Sequence, residues 1–121
     1  MNEIKFRGLD ADGNWFIGSH LKTGTGMHYI VPQNVIGSLP QYSVRAETVG
    51  QYSGLVDIKG NQIYNADLIK DDENFIWEVC YKQGVFYAKC DDLLALQILS
   101  TVNLYGVVIG NIHEHPELLT A

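Results

Sequence analysis

Short apolar runs separated by turn residues limit what this chain can fold into. Residues 3–9, EIKFRGL, alternate apolar and polar side chains, and residues 10–14, DADGN, contain an Asp-Gly pair that favours a tight turn. The run WFIGSHL that follows predicts the returning strand of a β-hairpin. Gln83-Gly84 predicts a two-residue hairpin loop between FIWEVCYK and VFYAKC. These short apolar runs with turn residues between them indicate a mainly antiparallel β protein.

Further strands surround one irregular segment. Lys59-Gly60-Asn61 predicts another hairpin turn, in which glycine supplies the unusual dihedral. The runs NADLIK and LYGVVIGNI predict two more strands, and Pro116 predicts one helical turn near the C-terminal end. Residues 22–43 are rich in glycine and proline, so they predict an irregular excursion with one or two short strands.

Residues 91–101, DDLLALQILST, predict one buried helix. Asp91 or Asp92 can cap its N-terminus, where a carboxylate also suits the helix dipole. Few positions of this segment are polar, and the large apolar residues are Leu93, Leu94, Leu96, Ile98 and Leu99. We therefore expect a single α+β domain over residues 1–121, with this helix packed across a small twisted sheet or partly open barrel.

Composition and charge restrict the class of protein. The chain has 121 residues, 46% of them hydrophobic, and a net charge of -6, which is the balance of a globular domain. The eight basic residues are scattered, which opposes nucleic-acid binding but suits a basic protein partner. No run approaches the roughly 18 apolar residues of a membrane span, and no leader pattern opens the chain. We expect a cytoplasmic protein.

Two cysteines allow two interpretations. Cys80 and Cys90 lie in neighbouring predicted strands, so a disulfide is geometrically allowed. Because nothing else indicates export, we expect buried free thiols instead. No helix start or basic neighbour that would lower a thiol pKa is evident, so a nucleophilic role is not expected.

Three blocks of the sequence together resemble the YopX family of small phage and prophage proteins. They are IKFRGLDADGNWF at the start, QYSGLVDIKGNQIYNADLIK in the middle and VIGNIHEHPELL near the end. The family has an Ile-Lys-Phe-Arg strand, a central Tyr-Thr-Gly-Leu segment with a conserved Asp and Gly pattern, and a closing Ile-Gly-Asn-Ile. This chain has Ser53 where Thr is usual and Ala66 where Gly is usual. If position 66 needs a positive φ, Ala66 is strained.

The resemblance implies a phage or prophage origin and a compact, oligomeric, β-rich protein that acts in the host cytoplasm. It brings no established activity, so no catalytic residue is carried over. The positions that recur in the family are interpreted as turn residues and buried hydrogen-bonding residues: Gly54, Asp57, Gly60, Tyr64 and Asp67.

The candidate chemistry in the sequence is sparse. His113-Glu114-His115 places two imidazoles at i and i+2, but two ligands do not make a metal site and Pro116 makes the segment a loop. Residues 23–26, TGTG, suggest a loop of backbone amides for an anion, although they lack the Lys-Ser/Thr of a P-loop. We expect no metal and no cofactor.

Three functions remain open from the sequence. The leading one is a non-catalytic, homo-oligomeric binding module that acts on a host or phage protein. The second is sequestration of a nucleotide-like signal to counter host defence, by residues that supply charge, stacking and backbone donors: Arg45, Tyr52, Trp15, Tyr29, Thr23 and Thr25. The third, which has the least support, is a metal-dependent hydrolase. Membrane binding is not expected.

Overall fold

The chain forms two compact units, Met1–Tyr52 and Ser53–Ala121. The computed structural model describes residues 4–33 and 40–119. All the strand pairs within each unit described below are antiparallel, which confirms the mainly antiparallel β prediction. That residues 1–121 form a single domain stays a prediction.

Unit 1 is built from hairpins that follow one another along the chain. Its strands are β1 (Phe6–Leu9), β2 (Trp15–Lys22), β3 (His28–Val31) and β4 (Tyr42–Val44), followed by a 3₁₀ turn (Ala46–Thr48) and the start of β5 (Gly50–Val56). The sheet order is β4-β3-β2-β1-β5. The predicted opening hairpin is confirmed, and β3 with part of β4 lies in the excursion predicted over residues 22–43. Residues 34–39 of that excursion lie outside the described residues.

Unit 1 has a small core of buried apolar side chains. Leu9, Ile30 and Val44 are buried, and Gly8 lies so close to Val44 that a Cβ at Gly8 would be 2.7 Å from Val44 Cγ2. The buried Thr48 hydroxyl accepts a hydrogen bond from the Leu9 N–H at 2.9 Å and donates to the Arg45 carbonyl at 2.7 Å. These bonds fix the 3₁₀ turn against the end of β1.

Unit 2 contains the larger core. After the second part of β5 come β6 (Gln62–Tyr64), β7 (Asp67–Lys70), β8 (Ile76–Lys82), β9 (Val85–Cys90), β10 (Ala95–Ile98), helix α1 (Leu99–Val102), β11 (Val107–Asn111) and a 3₁₀ turn (Pro116–Leu119). Strand β6 lies beside β5, and the other strands form a five-stranded sheet in the order β10-β9-β8-β7-β11. The core packs on one face of this sheet: Ile63, Ile69, Trp77, Val79, Ala88, Cys90, Leu99 and Val102.

One five-residue turn recurs between strands in both units. At Asp10 and Asp57, Oδ1 accepts hydrogen bonds from the N–H groups two and four residues later, and Oδ2 accepts from the asparagine side chain at the fifth position. Asp71 binds the backbone in the same way, and its Oδ2 accepts from Trp77 Nε1 at 2.9 Å. The fourth position has a positive φ in each copy, and Gly13, Gly60 and Asn74 occupy it. The sequence therefore places residues that tolerate this conformation at the fourth position.

The predicted helix over residues 91–101 is wrong for most of its length. Asp91–Leu94 is a turn, Ala95–Ile98 is strand β10, and only Leu99–Val102 is helical. Leu94, Leu96 and Ile98 are exposed, whereas Leu99 and Val102 are buried. The residues at 94, 96 and 98 have the spacing of a strand, and backbone pairing with β9 outweighs their helix propensity. The fold is thus two antiparallel sheets with one short helix, and neither sheet of the described residues closes into a barrel.

Other predicted turns and strands agree with the structure. Gln83 and Gly84 both have positive φ, as a two-residue hairpin loop requires, and Gly60 lies in the predicted hairpin turn. The predicted turn at Pro116 is a 3₁₀ turn. Ala66 has φ 77°, so the strain anticipated for an alanine at this position is present. Within the described ranges, no helix is long and apolar enough to cross a membrane.

Candidate functional site

Two aromatic side chains of unit 1 lie beside two basic ones on the same face of the sheet. Arg7 lies over the ring of Trp15, with its guanidinium carbon 4.6 Å from the ring centroid. Lys5 Nζ lies 4.8 Å from the centroid of Tyr52. Lys5 and Arg7 alternate along the first strand segment and therefore share a face. We call Lys5, Arg7, Trp15 and Tyr52 the cation–aromatic face.

Of the residues predicted to bind a ligand, Trp15 and Tyr52 lie on this face, on opposite sides of β1: Trp15 pairs with Leu9, and Tyr52 is hydrogen-bonded to Lys5. Tyr29 pairs directly with Leu21 of β2, which puts it on the same face of the sheet but on the far side of β2 from β1. Arg45 is exposed beside the 3₁₀ turn, where it lies 4.0 Å from Glu47. The predicted set is therefore only partly assembled.

Thr23 and Thr25 belong to the turn between β2 and β3 and are hydrogen-bonded to each other. Their hydroxyl oxygens are 3.0 Å apart, and Thr23 Oγ1 accepts the N–H of Met27. The Gly26 N–H donates to the Thr23 carbonyl at 3.0 Å, and Gly26 has φ 88°. This is the recurrent five-residue turn with threonine in place of aspartate. The geometry gives these residues a turn-forming role, because two of the loop's amides donate within the loop.

Sequence reasoning missed Lys5 and Arg7 as members of this face. Their alternation in EIKFRGL was visible and already placed them on one side of the strand. The contact of Arg7 with Trp15 and of Lys5 with Tyr52 depends on strand pairing. Tyr52 donates its N–H to the Lys5 carbonyl at 2.9 Å from a strand more than forty residues away in sequence.

His20 and His28 form a second polar pair in unit 1. His20 Nε2 and His28 Nδ1 are 2.8 Å apart, the ring centroids are 5.0 Å apart, and the planes differ by 7°. Because the centroid separation equals roughly the N···N distance plus two ring radii, the rings lie edge to edge and share one N–H···N hydrogen bond. Burial lowers the pKa of His20, and the nearby His28 and Lys22 lower it further.

The histidines near the C-terminal end are tied into the local backbone. His115 Nδ1 accepts the N–H of Asn111 at 3.2 Å, and Asn111 Oδ1 accepts the N–H groups of His113 and Glu114. The Asn111 side chain also donates to Glu114 at 3.1 Å. Among the described residues, no group of three or more His, Cys, Asp or Glu side chains is placed to hold a metal ion.

The two thiols lie in different environments. Cys90 is buried in the core of unit 2, whereas Cys80 is half-buried on the opposite face of the sheet. Burial raises the pKa of the Cys80 thiol, and the nearby carboxylate of Glu78 raises it further. A raised pKa leaves little thiolate at neutral pH.

The outer face of unit 2 carries an exposed apolar strip at the β9–β10 end of the sheet. Ile98 pairs with Tyr87. Val85 precedes Tyr87 by two residues in β9 and therefore lies on the same face. Val85, Leu96 and Ile98 are 48%, 68% and 56% exposed. We call Val85, Tyr87, Leu96 and Ile98 the apolar strip. It lines a shallow groove of about 560 Å³ together with Lys82, Gln83 and Gln97.

Comparison with known proteins identifies the family. No curated protein matches the chain. The chain is similar to a solved structure, that of protein EF1440 from Enterococcus faecalis, at 23% sequence identity and a TM-score of 0.64; the match covers 98% of this chain and 99% of that one. At this identity the likeness shows the fold. The family described as YopX protein matches residues 4–120, which is nearly the whole chain. The chain therefore belongs to the YopX family.

Proposed function

We propose that this chain is a non-catalytic, homo-oligomeric binding module of phage or prophage type, which acts on a host or phage protein in the host cytoplasm. The observation that carries the proposal is the apolar strip. Soluble proteins that act alone seldom expose several large apolar side chains side by side, and such patches mark interaction surfaces. The strip belongs to one continuous sheet face and lines a shallow groove, so it offers a surface that suits another protein.

The roles of the buried carboxylates support a non-catalytic module. Asp57, Asp67 and Asp71 are buried, and each accepts hydrogen bonds from backbone N–H groups of turns. A carboxylate whose lone pairs are engaged in this way is poorly placed to exchange a proton with a substrate. The raised pKa of Cys80 and the backbone bond to His115 point in the same direction.

The cation–aromatic face is the best candidate surface for the protein partner. Trp, Tyr and Arg are the residue types that contribute most often to binding energy in protein interfaces. Here Trp15, Tyr52 and Arg7 lie on one face of the sheet, and all three are half-buried. Rings held against cationic side chains lose little conformational freedom when a partner binds, which favours affinity.

Native mass spectrometry and affinity capture test this proposal. We expect the wild-type protein to give a defined oligomer, and immobilised wild type to enrich one host or phage protein. The double variant Trp15→Ala/Tyr52→Ala should lose that partner, whereas Tyr81→Ala, which removes an exposed aromatic from unit 2, should retain it. A monomeric wild type that captures the same proteins as the double variant would contradict the proposal.

A second candidate function is the sequestration of a nucleotide-like signal. The specific observation that favours it is the pairing of two aromatic rings with two cations on the same face, because a base can stack on a ring while a phosphate binds a nearby cation. A nucleotide present at a hundredfold excess over its dissociation constant should stabilise the protein by about 3 kcal/mol.

Thermal-shift measurements against a panel of mono-, di- and cyclic nucleotides test this second function. We expect a shift with one class of nucleotide in the wild type and none in Trp15→Ala. The exposed Ile17 of β2 offers a control, because Ile17→Ala removes an apolar side chain from the same strand without removing a ring. If no nucleotide shifts the wild-type melting temperature, sequestration of a nucleotide is refuted.

A further inference from the structure

Strand β10 forms one edge of the five-stranded sheet, and its four residues include no charged residue, proline or bulge. Among the described strands it pairs with β9 alone. Soluble proteins normally blunt sheet edges with charged residues, proline or a bulge, because an open edge can pair with another chain. Strand β10 has the sequence Ala-Leu-Gln-Ile, and its pairing with β9 is regular over all four residues.

The side chains of β10 also differ from those of an ordinary solvent-facing edge. Leu96 and Ile98 point to the outer face of the sheet and are largely exposed, whereas Gln97 points to the other face. In an antiparallel pair, residues directly opposite each other share a face. If two copies of β10 pair around a two-fold axis through Gln97, Leu96 of each copy lies opposite Ile98 of the other. The two glutamines then face each other.

We propose that β10 is the self-association edge of this protein, where two copies pair antiparallel around a two-fold axis at Gln97 and join their sheets. The inference rests on the homo-oligomer of the proposed function and names its interface. The axis brings Leu96 and Ile98 of both copies into one apolar cluster on the outer face. The two Gln97 side-chain amides can donate to and accept from each other, which suits a symmetric interface.

Charge complementarity favours a second copy over another occupant of this edge. Lys82 lines the groove at the Ile98 end of β10, and Asp91 and Asp92 lie in the turn at its Ala95 end. Antiparallel pairing places Asp91 and Asp92 of each copy at the same end of the joined sheet as Lys82 of the other, so opposite charges share both ends of the interface. Two copies of a chain with net charge -6 repel each other in general, and an uncharged edge with opposite charges near its two ends reduces that repulsion.

The first test is a dissociation constant from sedimentation or native mass spectrometry across a dilution series. Leu96→Lys should raise the dissociation constant of the wild-type assembly about tenfold or more, since it buries an unpaired charge in the joined sheets. Leu104→Lys is the matched control, because Leu104 is 70% exposed but lies after α1 and outside the strip. Both positions are exposed, so both variants should fold, and far-UV circular dichroism checks that they do.

The second test addresses the antiparallel pairing. Lys82→Glu should weaken the assembly, and the combined variant Lys82→Glu/Asp91→Lys/Asp92→Lys should restore it, because reversing both ends restores opposite charges. An assembly that is unaffected by Leu96→Lys overturns this inference and leaves the proposed oligomer standing. A wild type that stays monomeric at every concentration overturns both. A monomeric wild type whose captured partner is lost on Leu96→Lys assigns the edge to a different protein and likewise overturns self-pairing.

Discussion

Replacing Asp57 by alanine should destabilise unit 2 much more than the same replacement at Asp10 destabilises unit 1. Both aspartates close the same five-residue turn with the same local hydrogen bonds. Asp57 differs in two respects: it is only 4% exposed, and its Oδ2 also accepts the N–H of Val108 at 2.8 Å. That bond links the β5–β6 turn to β11, fifty-one residues further along the chain.

The magnitude follows from the hydrogen bonds that would be lost. A hydrogen bond to a charged group contributes about 1.5–3 kcal/mol, and a buried donor left without a partner costs about as much. The N–H groups of Lys59 and Asn61 lie in an exposed turn, where water can replace the carboxylate. Water replaces the carboxylate less easily as the acceptor for the N–H of Val108. We therefore expect a loss of about 3 kcal/mol for Asp57→Ala, which lowers the melting temperature by on the order of 10 °C.

The pH dependence gives an independent check on the same carboxylate. Burial opposes ionisation of Asp57, but hydrogen bonds from Val108, Asn61 and Lys59 outweigh burial and lower its pKa. A lowered folded-state pKa adds stability that is present above the unfolded pKa of about 3.9 and is lost as the pH falls through the folded pKa. This part of the acid lability should be absent in Asp57→Ala.

Urea denaturation monitored by tryptophan fluorescence measures both effects, with Trp77 reporting on unit 2 and Trp15 on unit 1. Asp57→Asn keeps the shape of the side chain without its charge, so its unfolding midpoint should lie between those of the wild type and Asp57→Ala. If Asp57→Ala and Asp10→Ala lower the unfolding midpoint equally, the bond to Val108 does not carry the stability assigned to it and the reasoning is wrong.

Three further predictions concern other positions. Leu94 has φ 49° and is 95% exposed, so Leu94→Gly should relieve backbone strain without loss of buried surface and stabilise the fold by about 0.5–1 kcal/mol; calorimetry should show a rise in melting temperature, and a fall would contradict the strain. The lowered pKa of His20 means that stability is complete above the unfolded pKa of about 6.5 and declines as the pH falls through the folded pKa. The decline should be smaller in His20→Gln, and equal urea midpoints of variant and wild type at every pH would argue against it. The raised pKa of Cys80 predicts slower alkylation by iodoacetamide at neutral pH than for a small free thiol, and Glu78→Gln should speed it; a wild-type rate equal to that of the free thiol would refute this prediction.

The hairpins could be predicted from the sequence because their information is local. Gly13, Gly60 and Gly84 each lie where the turn requires a positive φ, and glycines at such positions can be recognised in a single sequence. That the turns at Asp10, Asp57 and Asp71 are one motif was harder to see, since the third has Asn74 in place of glycine. The carboxylate bonds, rather than the glycine, define this turn.

The helix prediction over residues 91–101 is wrong because a short run of leucines fits a helix and a strand equally well. Leu93, Leu94, Leu96, Ile98 and Leu99 suit a buried helix as well as a strand, and their exposure is not visible in the sequence. The choice is made by β9, whose backbone pairs with β10. The cation–aromatic face could not be predicted for a related reason. Its contacts depend on which strands pair beside Trp15 and Tyr52, and the sequence does not show these pairings.

The order of strands in the two sheets has a consequence for how fast the chain folds. Most neighbours in the sheets are also neighbours along the chain, as in β2–β3, β7–β8, β8–β9 and β9–β10, so most pairings close short loops. Short loops cost little entropy to close, and hairpins of this kind form within microseconds. The pairing of β11 with β7 spans the whole intervening meander. We expect the pairing of β11 with β7, which the Asp57–Val108 hydrogen bond stabilises, to be the slow step of folding for unit 2.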